Sequence, residues 1–333
     1  MLQVFSLPPF YLLLNIISII SLLDFHPGEQ QLKINTFPPC ENPGWSPTDF
    51  GLKDHHIFWH DGYNYLVSIY VPPDDNSPFA QDRFVYARSE DLCEWEDLSP
   101  ILSTRIPNTL DEQAIWAPFV YYENGIYYLY YTGVTEDVTQ SILLVTSNDP
   151  SDPSSWQPQE MVFQPDHPGM VWEEGKWADC RDPAVVKIED IYYLFYTGRD
   201  TEGAIIGAAT ADKPTGPWED QGSILDPKIN VMLESPTLVR FGNFFYLFYN
   251  LSRVGEQYRI GESPTGPWGE PIPFQPGWAH EVWQNPDNKW FTSYLTDYSV
   301  TIRSLSWDIH NDLPHPIINT NEIKIFFPLV LNK

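Results

Sequence analysis

Cys180-Arg181-Asp182-Pro183-Ala184-Val185-Val186-Lys187-Ile188-Glu189-Asp190-Ile191-Tyr192-Tyr193-Leu194-Phe195-Tyr196 reads as a charged tip, an apolar strand, a turn at Glu189-Asp190 and a second, aromatic strand. Aligned on the position of Pro183, the same pattern recurs along the chain, and recurrence of this kind marks a repeat architecture. One copy runs from Lys53-Asp54-His55-His56 through the turn His60-Asp61-Gly62 to Tyr70. A second runs from Trp116-Ala117-Pro118 through Glu123-Asn124-Gly125 to Tyr131. A fourth runs from Glu234-Ser235-Pro236 through Phe241-Gly242-Asn243 to Tyr249, and a fifth from Ala279-His280-Glu281 through Asn285-Pro286-Asp287-Asn288 to Tyr294. The anchors fall at 55, 118, 183, 236 and 281, with spacings of 63, 65, 53 and 45 residues.

Asp-Gly, Asn-Gly and Gly-Asn at the turns are strong hairpin signals. A third strand follows each hairpin, and a turn with a Trp often follows that, as at Trp95, Trp218 and Trp268. No window after Asp24 shows sustained helical spacing of apolar residues. Three or four strands per copy and five copies predict an all-β fold, a five-bladed β-propeller. A two-sheet sandwich is the alternative, but it gives no reason for a whole hairpin to recur five times. Composition agrees: of 333 residues, 15% are aromatic and 32 are Pro, which favours short strands with Pro-punctuated loops.

The formal net charge is −27, so the surface repels phosphate backbones and nucleic acid is excluded as a partner class. Cys40, Cys93 and Cys180 form no C-x-x-C pair; one bridge, or three unpaired thiols, are both open readings. Phe5 to Leu23 is almost wholly apolar. Residues 1–24 therefore read as a signal peptide or membrane anchor, 25–49 as an amino-terminal extension and 50–333 as the propeller. Export follows, as a secreted or membrane-anchored extracellular protein that meets the membrane only through this segment if it is uncleaved. No Lys or Arg precedes the apolar run, no small-x-small cleavage site follows it, and Pro8 and Pro9 oppose a straight helix. The competing reading is a packed amino-terminal element. The carboxy-terminal apolar run Ile325–Leu331 reads as a closing strand.

In a propeller the first strand of each blade lines the central axis, so residues at its start converge on one funnel. The tips carry Asp54, Asp182 and Glu234, then His280 with Glu281, with Trp116-Ala117 in the second blade. Carboxylates sharing one funnel raise one another's pKa and supply an acid–base pair near neutral pH. Glycoside hydrolysis needs such a pair, one protonated acid for the leaving oxygen and one carboxylate as base or nucleophile.

Asp54 in blade one, Trp116-Ala117-Pro118 in blade two, Arg181-Asp182-Pro183 in blade three and Glu234-Ser235-Pro236 in blade four together resemble the five-bladed glycoside hydrolases of families 43, 62, 32 and 68. These comprise arabinanases, arabinofuranosidases, xylosidases and fructosidases. The likeness spans roughly Phe50 to Trp307, and family 43 is the nearer pattern. It implies cleavage of O-glycosidic bonds in pentose- or fructose-containing oligo- or polysaccharides. It assigns Asp54 as general base, or as nucleophile in a retaining family 32-like fructosidase. Asp182 would tune the acid and hold hydroxyls, Glu234 would be the general acid, and Arg181 a hydroxyl ligand. No cofactor is required, although His280 matches a central histidine that lies beside a calcium ion in some family 43 members. The chain departs from the family where His55, not Pro, follows Asp54, and where Ser235 follows Glu234.

Each of these residues also has a plainer reading. Asp54 could be a solvated strand start, Asp182 a salt-bridge partner of Arg181, and Glu281 a brace of the tip through His280 or a backbone amide. His55 and His56 read as polar lining of the funnel. Trp116, Trp177 and Trp278 lie near tips and suit stacking on sugar rings, while most of the 13 Trp must pack between blades. Tyr127-Tyr128 and Tyr192-Tyr193 read as core or blade interface. Two other functions remain open on the sequence: a carbohydrate-binding propeller without turnover, which would lose an acidic tip, and a protein-interaction propeller, which would need no convergence of carboxylates.

Overall fold

In the computed structural model, residues 38–103, 107–159, 162–228, 231–274 and 277–319 are described; the apolar run 5–23 and the expected closing strand 325–331 lie outside them. Every predicted hairpin forms. A short strand β1 (Gly44–Trp45) precedes blade one, which is β2 (Gly51–His60), β3 (Tyr63–Val71), β4 (Arg83–Ser89) and β5 (Glu96–Ser103). Blade two is β6 (Ala114–Glu123), β7 (Ile126–Val134), β8 (Gln140–Ser147) and β9 (Gln157–Pro158). Blade three is β10 (Cys180–Ile188), β11 (Ile191–Arg199), β12 (Ala204–Ala211) and β13 (Glu219–Leu225). Blade four is β14 (Leu233–Phe241), β15 (Phe244–Leu251), β16 (Gly255–Gly261) and β17 (Ile272–Pro273). Blade five is β18 (Trp278–Gln284), β19 (Trp290–Thr296), β20 (Ser299–His310) and β21 (Leu313–Ile318). All strand pairings within the blades are antiparallel. The turns Asp61-Gly62 and Asn124-Gly125 hold both central residues at positive φ, the conformation that two-residue hairpins favour and that selects Asn, Asp and Gly.

The first strands β2, β6, β10, β14 and β18 touch in that order, and β18 returns to β2, so the five blades close a ring. The core is not one body but five clusters, each between two neighbouring blades. Phe58, Tyr65, Trp116 and Tyr127 fill the first interface, and Ala184, Phe195, Leu238 and Leu247 fill the one between blades three and four. Tyrosine hydroxyls reach across interfaces too: Tyr86 donates to the Pro150 carbonyl at 2.8 Å, Tyr246 to that of Pro314 at 2.6 Å, and Tyr130 to that of Pro214. Tyr127 and Tyr192 are buried, while Tyr128 and Tyr193 pack partly buried against neighbouring clusters.

One irregularity recurs in every blade. Each first strand carries one extra residue against its partner, between Lys53 and His55, Trp116 and Phe119, Arg181 and Ala184, Glu234 and Thr237, and Trp278 and Glu281. At each bulge one residue has positive φ: Asp54 (21°), Ala117 (45°), Asp182 (55°), Ser235 (55°) and Ala279 (51°). Pro118, Pro183 and Pro236 sit in these bulges, where a strand can lack an N–H without losing a ladder bond. The bulges correct the blade-five register: the residue after the positive-φ position there is His280, not Glu281.

Blade five is closed by the amino-terminal segment. Within the segment read as an extension, Gly44 and Trp45 pair with Thr301 and Val300 of β20. Trp45 stacks on Trp95 of blade one at 6.4 Å and joins a cluster with Leu52, Ile57, Phe291 and Ile302 that spans blades one and five. Cys40 and Cys93 form a disulfide across a separation of 53 residues, which ties this closing strand to the β4–β5 loop of blade one; Cys180 is free and buried. One bridge exists, so of the two open readings of the cysteines the bridged one holds. By chain entropy alone a loop of that length is worth about 4 kcal/mol. Cys93→Ser, or reduction of the native protein, should therefore lower the melting temperature by several degrees; a melt indifferent to reductant would mean that β1 pairing closes the ring unaided.

Candidate active site

The bulges decide what faces the axis. The residues just before the positive-φ positions are Lys53, Trp116, Arg181, Glu234 and Trp278. All five line a single cavity of ≈290 Å3 at one mouth of the ring, together with Asp54, Asp182, Ser235 and Ala279. Loops complete it: Pro78 and Gln81 come from the β3–β4 connection, and Trp177 and Met232 precede β10 and β14.

Of the residues expected from sequence, Asp54, Trp116, Arg181, Asp182, Glu234 and Trp278 come together here. Three do not. His55 is buried one step down the axis, with Nε2 2.8 Å from Ser293 Oγ. His280 is fully buried, 3.3 Å from Glu256 and stacked on Tyr294. Glu281 also lies below the cavity, in the narrow shaft, 3.3 Å from His56 Nδ1. The physical reason is strand alternation past the bulge: His55 and His280 follow the positive-φ residue and turn away from the mouth. Burial, then His56 and His280, push His55 down to about 3, so the shaft carries it neutral.

Arg181 is the hub of the charged floor. Its Nη2 donates to Glu234 Oε1 at 2.9 Å, its Nη1 donates to Asp179 Oδ1 and, at 3.3 Å, to Gln140 Oε1, and its Nε lies 3.9 Å from Asp182 Oδ2. Asp182 Oδ2 accepts from Thr197 Oγ1 at 2.9 Å and from the Ser235 amide at 3.0 Å, which fixes the carboxylate across two blades. Trp116 Nε1 donates to the Pro78 carbonyl at 3.0 Å, and Trp177, 57% exposed, donates through Nε1 to Asp179 Oδ1 at 2.9 Å. One indole is thus pinned in the wall and the other at the rim.

Burial, then the charges of Asp182 and Glu234, push the Asp54 carboxyl up to about 7, against the pull of Lys53 and Arg181. Burial also raises Glu234; Arg181 and Lys53 oppose that rise and Asp182 adds to it. The arrangement holds a proton near neutral pH among carboxyls that face one cavity, which is what acid–base chemistry on a bound molecule requires.

Lys53, Asn250, Gln81 and Asp179 were not singled out from the sequence. Lys53 was legible as the blade-one counterpart of Glu234, had the copies been aligned on the residue before the bulge. Asn250 is set by the ladder, opposite Glu234 on β15, and Gln81 by a loop, so neither has a sequence signal. Among the described residues no three His, Cys, Asp or Glu side chains gather into a metal-binding group, beside His280 or elsewhere. Both ring nitrogens of His280 and Oε1 of Glu256 are buried without a hydrogen-bond partner among the described residues, so the place is polar.

Residues 69–172 match the family described as "Glycosyl hydrolases family 43". The chain resembles family 43. The matched stretch runs from β3 into the segment before β10, so it contains Trp116 but none of Asp54, Asp182 and Glu234. Arabinan endo-1,5-alpha-L-arabinosidase A of Aspergillus niger is 24% identical over 167 residues, covering 46% of this chain; the chain spans about half the length, 50%, of that curated relative. Two solved structures share the fold. Exo-1,5-alpha-L-arabinanase from a bovine ruminal metagenomic library superposes with a TM-score of 0.58 at 18% identity, covering 84% of this chain and 97% of that one. Sucrose-6-phosphate hydrolase from Lactobacillus gasseri gives 0.64 at 18% identity, covering 85% and 64%. The five-bladed propeller expected from the repeats is therefore also the fold of these two proteins.

The raised Asp54 carboxyl has a consequence for stability. Its folded value lies above that of an unfolded aspartate, so the stability it contributes is fully present below about pH 4 and is lost as pH rises to about 7. Asp54→Asn should melt higher than the parent at pH 8, with the gap closing toward pH 4; a gap independent of pH would show that Asp54 is ionised normally.

Proposed function

We propose that the chain is a glycoside hydrolase acting on an oligo- or polysaccharide that contains pentose or fructose, with arabinose-containing chains the first class to try. The observation that carries this reading is the convergence of Asp54, Asp182 and Glu234 from three blades on one cavity, around one buried guanidinium and beside Trp116, Trp177 and Trp278. The similarity to arabinan-cleaving relatives supports the choice of sugar.

In this reading Glu234 carries a proton to the glycosidic oxygen as the bond to the anomeric carbon breaks. Asp54 takes a proton from the water whose oxygen bonds to that carbon, and the configuration inverts. Family 32-like retention, with Asp54 as nucleophile, is the other outcome, and product stereochemistry separates them. Asp182, fixed by Thr197 and Ser235, raises Asp54 and helps to keep the set protonated. Arg181 and Lys53 limit how far the carboxyls rise. The tryptophans offer faces for the C–H surfaces of sugar rings. The Cys40–Cys93 disulfide supports export, because such bonds persist in oxidising compartments.

Glu234→Gln should cut turnover by about 10²–10⁴-fold on substrates with poor leaving groups. Aryl arabinofuranosides and xylosides, arabinan, sucrose and levan form the panel. Wild-type turnover in the variant would falsify the acid assignment, and a parent inert on every saccharide yet able to bind one would make the chain a binding propeller.

A further inference from the structure

Asp179 is almost completely buried two residues before Arg181, yet it does not line the cavity. Its carboxylate takes three donors. Oδ1 accepts from Arg181 Nη1 and from Trp177 Nε1 at 2.9 Å, and Oδ2 accepts from Arg199 Nε at 2.8 Å. Arg181 in turn reaches Glu234 through its other terminal nitrogen. Through its two terminal nitrogens a single buried guanidinium therefore bridges Glu234 inside the cavity and Asp179 behind it, while its Nε lies 3.9 Å from Asp182. Arg181 side-chain exposure is 8% and that of Asp179 is 4%, so water screens this bridge little.

We propose that Asp179 is a positioning residue for Glu234: by engaging the Nη1 end of Arg181 it draws part of the guanidinium's charge out of the cavity and leaves Glu234 able to carry a proton to the leaving group. The inference rests on the reading of Glu234 as the acid. Without Asp179, more of the charge of Arg181 would fall on Glu234 and favour its ionised form, because an adjacent guanidinium favours the anion. An acid needs the opposite. Asp179 also seats Trp177, so the rim and the proton donor share one support.

The charges around Glu234 are few. Arg181 and Asp182 face it from β10, and Lys53 and Asp54 from β2. Arg199 of β11 meets Asp179 from behind, 35% exposed. Burial works against ionisation of Asp179, but Arg181, Arg199 and Trp177 outweigh it and hold that carboxyl below its usual range, so Asp179 stays anionic through the working pH.

Two variants with opposite expected signs test this. In Asp179→Asn the guanidinium of Arg181 loses its partner behind the cavity, and more of its charge falls on Glu234. The alkaline limb of kcat/KM should move to lower pH by about one unit. Turnover of poor leaving groups should fall on the order of tenfold more than that of activated aryl glycosides, which need little protonation. Arg199→Gln removes a competitor for Asp179 at a half-exposed position, so the alkaline limb should move to higher pH. A variant Asp179→Asn with the parent's limb and an equal loss on both substrate types would show a purely structural role and overturn the proposal. Should that variant fail to fold, Arg199→Gln decides alone: a limb unmoved or displaced to lower pH overturns it. Glu234→Gln is run in parallel, and full turnover there on poor leaving groups sinks the acid reading itself rather than the role of Asp179.

Discussion

The extra residue in each inner strand is the constraint on which the rest of the molecule depends. A strand that continued in register would alternate its side chains evenly down the axis. The bulge breaks that alternation at one level in all five blades, and the residue there takes a left-handed backbone that costs non-glycine residues on the order of 1–3 kcal/mol each. In return, two consecutive side chains reach the mouth of the ring in four of the five blades. In blade one these are Lys53 and Asp54, in blade three Arg181 and Asp182, and in blade four Glu234 and Ser235. The same break in the ladder, in strands that form the inner edge of their sheets, is why proline is tolerated in three of them.

Such a site is paid for by packing elsewhere. Three acidic side chains meet on the floor of one cavity, and they coexist because Arg181 sits among them and because some of the set keep their protons. The compensation lies outward, where five apolar clusters hold neighbouring blades and where tyrosine hydroxyls cross to the next blade's carbonyls. Each interface is local, so a propeller of this kind depends on closing its ring. Here β1, Trp45 and the Cys40–Cys93 bridge close it, joining blade five to blade one through the segment that precedes both.

The polar shaft below the cavity is a separate environment. His55, His56, His280, Glu256 and Glu281 are grouped along blades one, four and five, beneath the level where a ligand would sit. Their burial keeps His55 neutral and sets them apart from the carboxyls above. A tip histidine and a tip aspartate adjacent in sequence, His55 and Asp54, thus belong to different surroundings.

Much of this was readable in the chain. Hairpin chemistry at Asp61-Gly62 and Asn124-Gly125 and the fivefold recurrence of an apolar strand followed by an aromatic one are local signals, written in contiguous residues, and they specify blades and their number. The acidic tips follow from the same alignment, so Asp54, Asp182 and Glu234 were nameable before any coordinates. What the tertiary structure decided was register and partnership. The bulge moved the blade-five anchor from Glu281 to His280, turned His55 and His280 away from the mouth and left Glu281 below it in the shaft, since one inserted residue reverses the face of every side chain after it. It also brought Asp179 behind Arg181 and set Cys40 against Cys93. Those pairings join residues that are distant in sequence or differently oriented in space, and only the closed ring puts them within bonding distance.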